Sequence, residues 1–309
     1  MNLVLLLALL ASAESERYVL SVGANVGTDN DEDLEYAEDD ARRFVEVMAR
    51  FGGAKAPRVR LLLGRDALGL EEAVNALADQ IVSDGASNAT VFFYFSGHAD
   101  RRAIHVHGER FDLEQIEDWL AGVPAQLRVS VVDACRSAVD VRLKGFSTTD
   151  SFAIQLEPAS RVQGLITMRS AADGEASQES RSLEGAVFTH YLLNALRGAA
   201  DDDGDERVTL DEAYRYAYRQ TVRRSSMSSA EVMHPSVEIE IEGAGQLVLT
   251  ETSVATTRLR LPAGRDVRYV VFKRPQSSVI AELWSHPKRA VEVALAPGEY
   301  LVHRVDGEQ

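Results

Sequence analysis

The chain has one cysteine, Cys135, and two tryptophans in 309 residues, and it is short of positive charge. A lone thiol excludes an internal disulfide and leaves no companions for a cysteine metal cluster. Lys and Arg number 33 against 48 Asp and Glu, a net charge of −15. A protein that neutralises phosphates needs a basic face, so nucleic acid is excluded as a partner. No repeat recurs at solenoid periods. No apolar run approaches the roughly 20 residues that span a bilayer. At 45% hydrophobic and 26% charged, the composition is that of a folded globular protein rather than a disordered or collagen-like one.

The one apolar stretch of note, Leu3 to Leu10, is followed by Ala11-Ser12-Ala13, a small-x-small cleavage pattern. No Lys or Arg precedes it. Residues 1–16 therefore read as a signal peptide with a weak basic end. The expected location is secreted or periplasmic, with no stable membrane span once the segment is removed. An uncleaved N-terminal anchor is the alternative. A free thiol in an exported protein calls for an explanation, and catalysis supplies one.

The negative charge is concentrated. Residues 29–40 hold eight carboxylates and no base, and residues 201–212 hold seven with Arg207. The first run follows a strand expected from Tyr18 to Gly23. The spacing of Phe44, Val47, Met48 and Phe51 then predicts a helix from Asp39, stopped by Gly52-Gly53. Further strands are expected at 59–63, 91–95, 127–132 and 164–168. Further helices are expected at 70–81, 113–120, 187–196 and 209–222. Strands alternating with helices give a mostly parallel sheet clothed on both faces. From about Thr250 five short strands separated by Pro- and Gly-containing turns make a small all-β module. The chain divides as signal peptide 1–16, main domain 17–250 and β-rich accessory module 251–309.

Two apolar runs end abruptly in a reactive residue: Tyr94-Phe95-Ser96-Gly97-His98-Ala99 and Val131-Val132-Asp133-Ala134-Cys135-Arg136. A thiol and an imidazole at the ends of buried strands suggest a nucleophile and its proton-transfer partner. In open parallel sheets ligands bind beyond the carboxyl ends of the strands. His98, Cys135 and the acidic loop after Gly23 are therefore expected at one edge.

At these two motifs the chain resembles the caspase-like cysteine peptidases, in particular their bacterial and metacaspase-like branches. The resemblance covers about residues 17–250, taking in Asp40-Ala41, Gly164-Leu165-Ile166-Thr167, Ala176-Ser177-Gln178-Glu179-Ser180 and Phe188-Thr189-His190. Caspases carry Gln-Ala-Cys-Arg-Gly with the histidine about 50 residues upstream. Here the spacing is shorter and Asp133 replaces the Gln. The resemblance implies a three-layer sandwich, with Cys135 as nucleophile and His98 moving protons. It implies an oxyanion hole from the backbone N–H groups of Ala99 and Cys135, contributing roughly 3–4 kcal/mol. It places Asp133 and Asp40 in the first substrate pocket, with Ser177 and Gln178 lining the cleft, so the expected substrate is a peptide or protein cut after Arg or Lys. No cofactor is required for that chemistry. An inactive scaffold of the same fold is the alternative, and another acyl hydrolase using the dyad is a third reading.

Bland readings stand beside these. Asp133 could orient a neighbouring turn, and Asp40 could complement a helix dipole. His105 and His107 read as surface histidines. Arg142, Lys144 and Arg161 mark a candidate self-cleavage loop. Asp201, Asp203, Asp205 and Glu212 match positions 1, 3, 5 and 12 of an EF-hand calcium loop, but Glu206 stands where Gly is usual. Thr209 with Glu212 would make a capping box without any metal.

Overall fold

The computed structural model describes residues 15–136, 163–172, 175–228, 231–242 and 246–305. The expected signal peptide and the candidate self-cleavage loop lie outside the described residues. In chain order the elements are β1 (Glu16–Gly23), α1 (Ala37–Arg50), β2 (Val59–Leu63), α2 (Leu70–Asp84), β3 (Ala89–Ala99), β4 (Ala103–Val106), β5 (Glu109–Asp112), α3 (Leu113–Gly122), β6 (Leu127–Arg136) and β7 (Gln163–Arg169). There follow β8 (Glu179–Ser180), β9 (Gly185–Ala186), α4 (Val187–Asn194), β10 (Arg207–Thr209), α5 (Leu210–Ser226), β11 (Ser236–Glu242) and β12 (Val248–Glu251). The last five strands are β13 (Thr257–Leu261), β14 (Arg268–Lys273), β15 (Ser278–Trp284), β16 (Val291–Leu295) and β17 (Tyr300–Val305).

The main sheet runs β11-β7-β6-β3-β1-β2, with β4 and β5 attached beside β3. Its inner pairs are parallel and β11 is antiparallel to β7. Every residue of β3 is buried, as its unbroken apolar run requires when both faces are covered. Alternate residues feed two cores. Phe92 and Tyr94 face α1, α4 and α5; Phe93 and Phe95 face α2 and α3. The fold is thus the three-layer α/β sandwich the sequence predicts.

Local signals act as expected. Phe44, Val47 and Met48 form the buried stripe of α1, and the Phe44 ring stacks on Tyr94 at 4.5 Å. Leu70, Val74, Leu77 and Ile81 do the same for α2, which Gly85 ends in a left-handed conformation with its N–H on the carbonyls of Ile81 and Val82. The strand order switches at β1, with β2 on one side and β3 on the other, the position at which open parallel sheets bind their ligands.

The C-terminal strands form two small antiparallel sheets, β13-β16 and β15-β14-β17. Val271, Ala281, Leu283 and Val293 join the same buried cluster as Tyr191 and Leu192 of α4. A polar lock accompanies them. The backbone N–H of Glu282 donates to Nε2 of His190 at 2.8 Å, the Tyr191 hydroxyl donates to the Glu282 carboxylate at 2.6 Å, and Asn194 donates to the Glu282 carbonyl at 3.1 Å.

This lock has a pH signature. Burial, then the charges of Arg197, Arg43 and Arg224, lower the His190 pKa from 6.5 to about 3. Below pH 6.5 the unfolded chain binds a proton there that the folded chain refuses, so stability falls as pH drops through the window from 6.5 towards 3. The slope for this group is at most about 1.4 kcal/mol per pH unit. His190→Gln should flatten that part of the profile in urea denaturation at pH 7 and pH 5. An unchanged slope would refute the assignment.

Candidate active site

β3 and β6 run in register to their ends: Ser96 lies opposite Asp133, His98 opposite Cys135 and Ala99 opposite Arg136. The imidazole and the cysteine position, distant in sequence, are thus neighbours across one strand pair at the carboxyl edge of the sheet. The His98 side chain is buried. Its ring hydrogen-bonds the backbone carbonyl of Asn25, while Nε2 has no partner among the described residues. Asn25 also accepts the Glu38 N–H on its side-chain oxygen at 3.0 Å, which ties the start of α1 to the histidine. Burial holds the His98 pKa below the usual value, and Asp31 opposes that shift. A neutral ring with one nitrogen anchored and the other free is equipped to take a proton.

Near this pair sits a group of carboxyl side chains, Asp133 and Asp40 buried and Glu179 half-buried. Asp133 accepts the Ser177 hydroxyl at 2.7 Å on one oxygen, and the Thr189 N–H and hydroxyl at 3.0 and 2.7 Å on the other. The turn-holding role open to Asp133 is therefore present, with α4 as the element held. Asp40 accepts the Ala186 N–H at 2.7 Å and pairs with Arg43 at 3.5 Å. Burial raises the Asp40 pKa well above the carboxylate range, with Asp133 and Glu179 adding to the shift. Glu179 is likewise raised, first by burial and then by Asp133 and Glu35, although the N–H groups of Glu35 and Tyr36 bond it at 3.0 Å. Ser177 is in this group. The Gln178 side chain instead donates to the Glu231 carbonyl at 2.6 Å.

The acidic loop after β1 contributes Asp31, whose side chain is 1% exposed. Its Oδ2 accepts the N–H and hydroxyl of Thr28 at 2.8 and 2.7 Å, and His105 at 2.8 Å. The other nitrogen of His105 meets Asp100 at 3.0 Å, and Asp100 pairs with Arg110. The reading of His105 as a surface histidine is thus wrong: it is 3% exposed, because β4 turns back onto β3 and sets it opposite His98. His107, partly exposed, adopts φ +45 at the turn into β5.

Sequence reasoning did not single out Asn25, Asp31, Thr189 or Glu179. Thr189 lay in a quoted motif, but Asp31 is one of eight acids in its run, with no local signal to distinguish it. At the remote calcium-loop candidate, Asp201, Asp203 and Asp205 offer oxygens within 4.8 Å of one another, and Glu206 adopts φ +65. Glu212 is not in that group. It forms the capping box with Thr209 and accepts the Asp202 N–H. The same-loop N–H groups of Gly204, Glu206, Asp205 and Arg207 bond the three aspartates.

Comparison with known families matches residues 16–235 to the Peptidase_C14 model, described as caspase domain. Among solved structures, the crystal structure of caspase-1 from Spodoptera frugiperda is similar with TM-score 0.51 and 13% identity, covering 78% of this chain and 91% of that one. The structure of pro-sf-caspase-1 gives TM-score 0.47 and 12% identity over 73% and 91%. At 13% identity the first of these likenesses speaks to the fold alone. No curated protein matches the sequence.

Thr189→Val deletes the hydroxyl shared by Asp133 and Tyr94. Leaving a buried carboxylate short of a donor should cost about 1–3 kcal/mol in urea unfolding. A loss below 0.5 kcal/mol, on the order of a surface substitution, would mean the bond does not hold α4.

Proposed function

The chain belongs to the caspase-domain family of cysteine peptidases, and we propose that it is an endopeptidase with Cys135 as nucleophile and His98 as general acid–base, cutting after Arg or Lys. The observation carrying this reading is the register that sets His98 opposite the Cys135 position, with His98 Nε2 lacking a partner among the described residues. In the reaction His98 takes the thiol proton and the sulfur attacks the peptide carbonyl. The Ala99 and Cys135 N–H groups receive the oxyanion. His98 returns the proton to the leaving amine, and water releases the acyl group. The family's chemistry needs no cofactor. Membership of a peptidase family, with His98 and the Cys135 position opposite each other in the register, supports an enzyme over an inactive scaffold.

The preference for a basic residue rests on Asp133, Asp40 and Glu179. Their mutual repulsion is relieved by an incoming cation. We also propose export, on the strength of the N-terminal segment; N-terminal sequencing of secreted protein beginning after Ala13 would support it, and protein retaining Met1 would not.

Cys135→Ala should lower peptide turnover by at least about a thousandfold. Wild type should cleave fluorogenic Arg and Lys peptides and leave Asp peptides uncut; the reverse order refutes the pocket assignment. Asp133→Asn should reduce kcat/KM on the Arg peptide by about tenfold to a hundredfold. A cation favours ionised Asp40, whose pKa is raised, so KM for the Arg peptide should fall as pH rises. A KM independent of pH would count against Asp40.

A further inference from the structure

Two polar atoms at the sheet edge are buried and without hydrogen bonds among the described residues: Nε2 of His98 and Oδ1 of Asp31. Buried polar groups are almost always paired, so an orphan calls for a reason. The two side chains flank Gly27. A Cβ built there would lie 2.5 Å from Asp31 Oδ2 and 2.8 Å from His98 Cδ2. Gly27 is therefore the thin spacer that lets a carboxylate approach the ring without touching Nε2.

Resting on the peptidase reading above, we infer that Asp31 is a positioning residue for His98, its buried carboxylate stabilising the imidazolium formed when the Cys135 thiol gives its proton to Nε2. In that step the S–H bond breaks, an N–H bond forms, and no further reactant takes part. The new positive charge appears beside a carboxylate already in place, in surroundings with little water to screen it.

The loop keeps Asp31 ionised. Burial by itself would raise its pKa, but the two bonds from Thr28 and the one from His105 bring it to about 2. His105 in turn lies between two carboxylates, those of Asp31 and Asp100, and it opposes the effect of Asp31 on His98. The groups bearing on His98 are Asp31 and the exposed Asp33 from the loop after β1, His105 from β4, and Cys135 across the register. Asp31 raises the His98 pKa and His105 lowers it.

The two neighbours thus predict opposite effects, which a purely structural role would not produce. In full-length Cys135→Ala protein, the His98 ring titration followed by NMR should move down by about half a unit or more in Asp31→Asn and up in His105→Gln. In the active background the acid limb of kcat/KM should follow the same directions. Asp31→Asn should lower kcat about tenfold with KM for an Arg peptide unchanged, because the bonds of Asp31 go to Thr28 and His105 rather than to the Asp133 group. Movement in the same direction for both variants, or in neither, overturns the inference. If Asp31→Asn fails to fold by circular dichroism, His105→Gln decides: a His98 titration that stays or falls overturns it. Failure of the peptidase reading is separately visible, as turnover that survives Cys135→Ala.

Discussion

Register between β3 and β6 is the constraint on which the site depends. In a strand pair a slip of one residue moves every side chain to the other face. Here such a slip would set His98 opposite Ala134 or Arg136, and would carry Tyr94 away from Phe44 and Thr189. Two cores enforce the correct pairing at once. Phe92 and Tyr94 have places on the α1 and α4 side, and Phe93 and Phe95 have places on the α2 and α3 side. A central strand buried on both faces has no face to give up, so its register is fixed along its whole length. The position of two reactive residues at its end is thus set by aromatic packing well below them.

A second theme is how the edge holds its carboxyl groups. Asp133, Asp40, Glu179 and Asp31 all accept bonds from backbone N–H groups: Thr189, Ala186, Glu35 with Tyr36, and Thr28. An N–H group satisfies a carboxylate without cancelling its charge, which a well-formed ion pair would do. Arg43 lies beside Asp40, and His105 beside Asp31. The same bonds are stitches. Asp40 joins α1 to β9, Glu179 joins β8 to the start of α1, and Asp133 joins β6 to α4. The segments at this edge are fastened by the carboxyl groups that give it its character.

Much of this was legible in the sequence, and the reason is periodicity. The stripe of α1, the stripe of α2 and the unbroken run of β3 each state a period and a burial, and the structure follows them within a few residues. The Ser-Gly-His and Asp-Ala-Cys motifs were legible because each closes an apolar strand. What escaped was whatever depends on a fold-back. β4 and β5 are short strands in a polar stretch, with too few residues to show alternation. Their return onto β3 is what buries His105 and gives Asp31 its partner. In the same way β11 reads Ser-Val-Glu-Ile-Glu-Ile-Glu, a half-exposed edge pattern, yet nothing local says which sheet it joins.

The small β sheets at the C-terminal end bear on the site through α4. The first turn of that helix places Thr189 on Asp133, and the next residues place His190, Tyr191 and Asn194 on Glu282 of β15. One helix of eight residues thus has its front on the carboxylate group and its flank on the C-terminal strands. A helix this short has little stability of its own. Its position must come from what packs against it, and β15 supplies both apolar cover and the polar lock at His190. The C-terminal strands are therefore part of what positions Thr189, and through it the carboxylate two residues before Cys135.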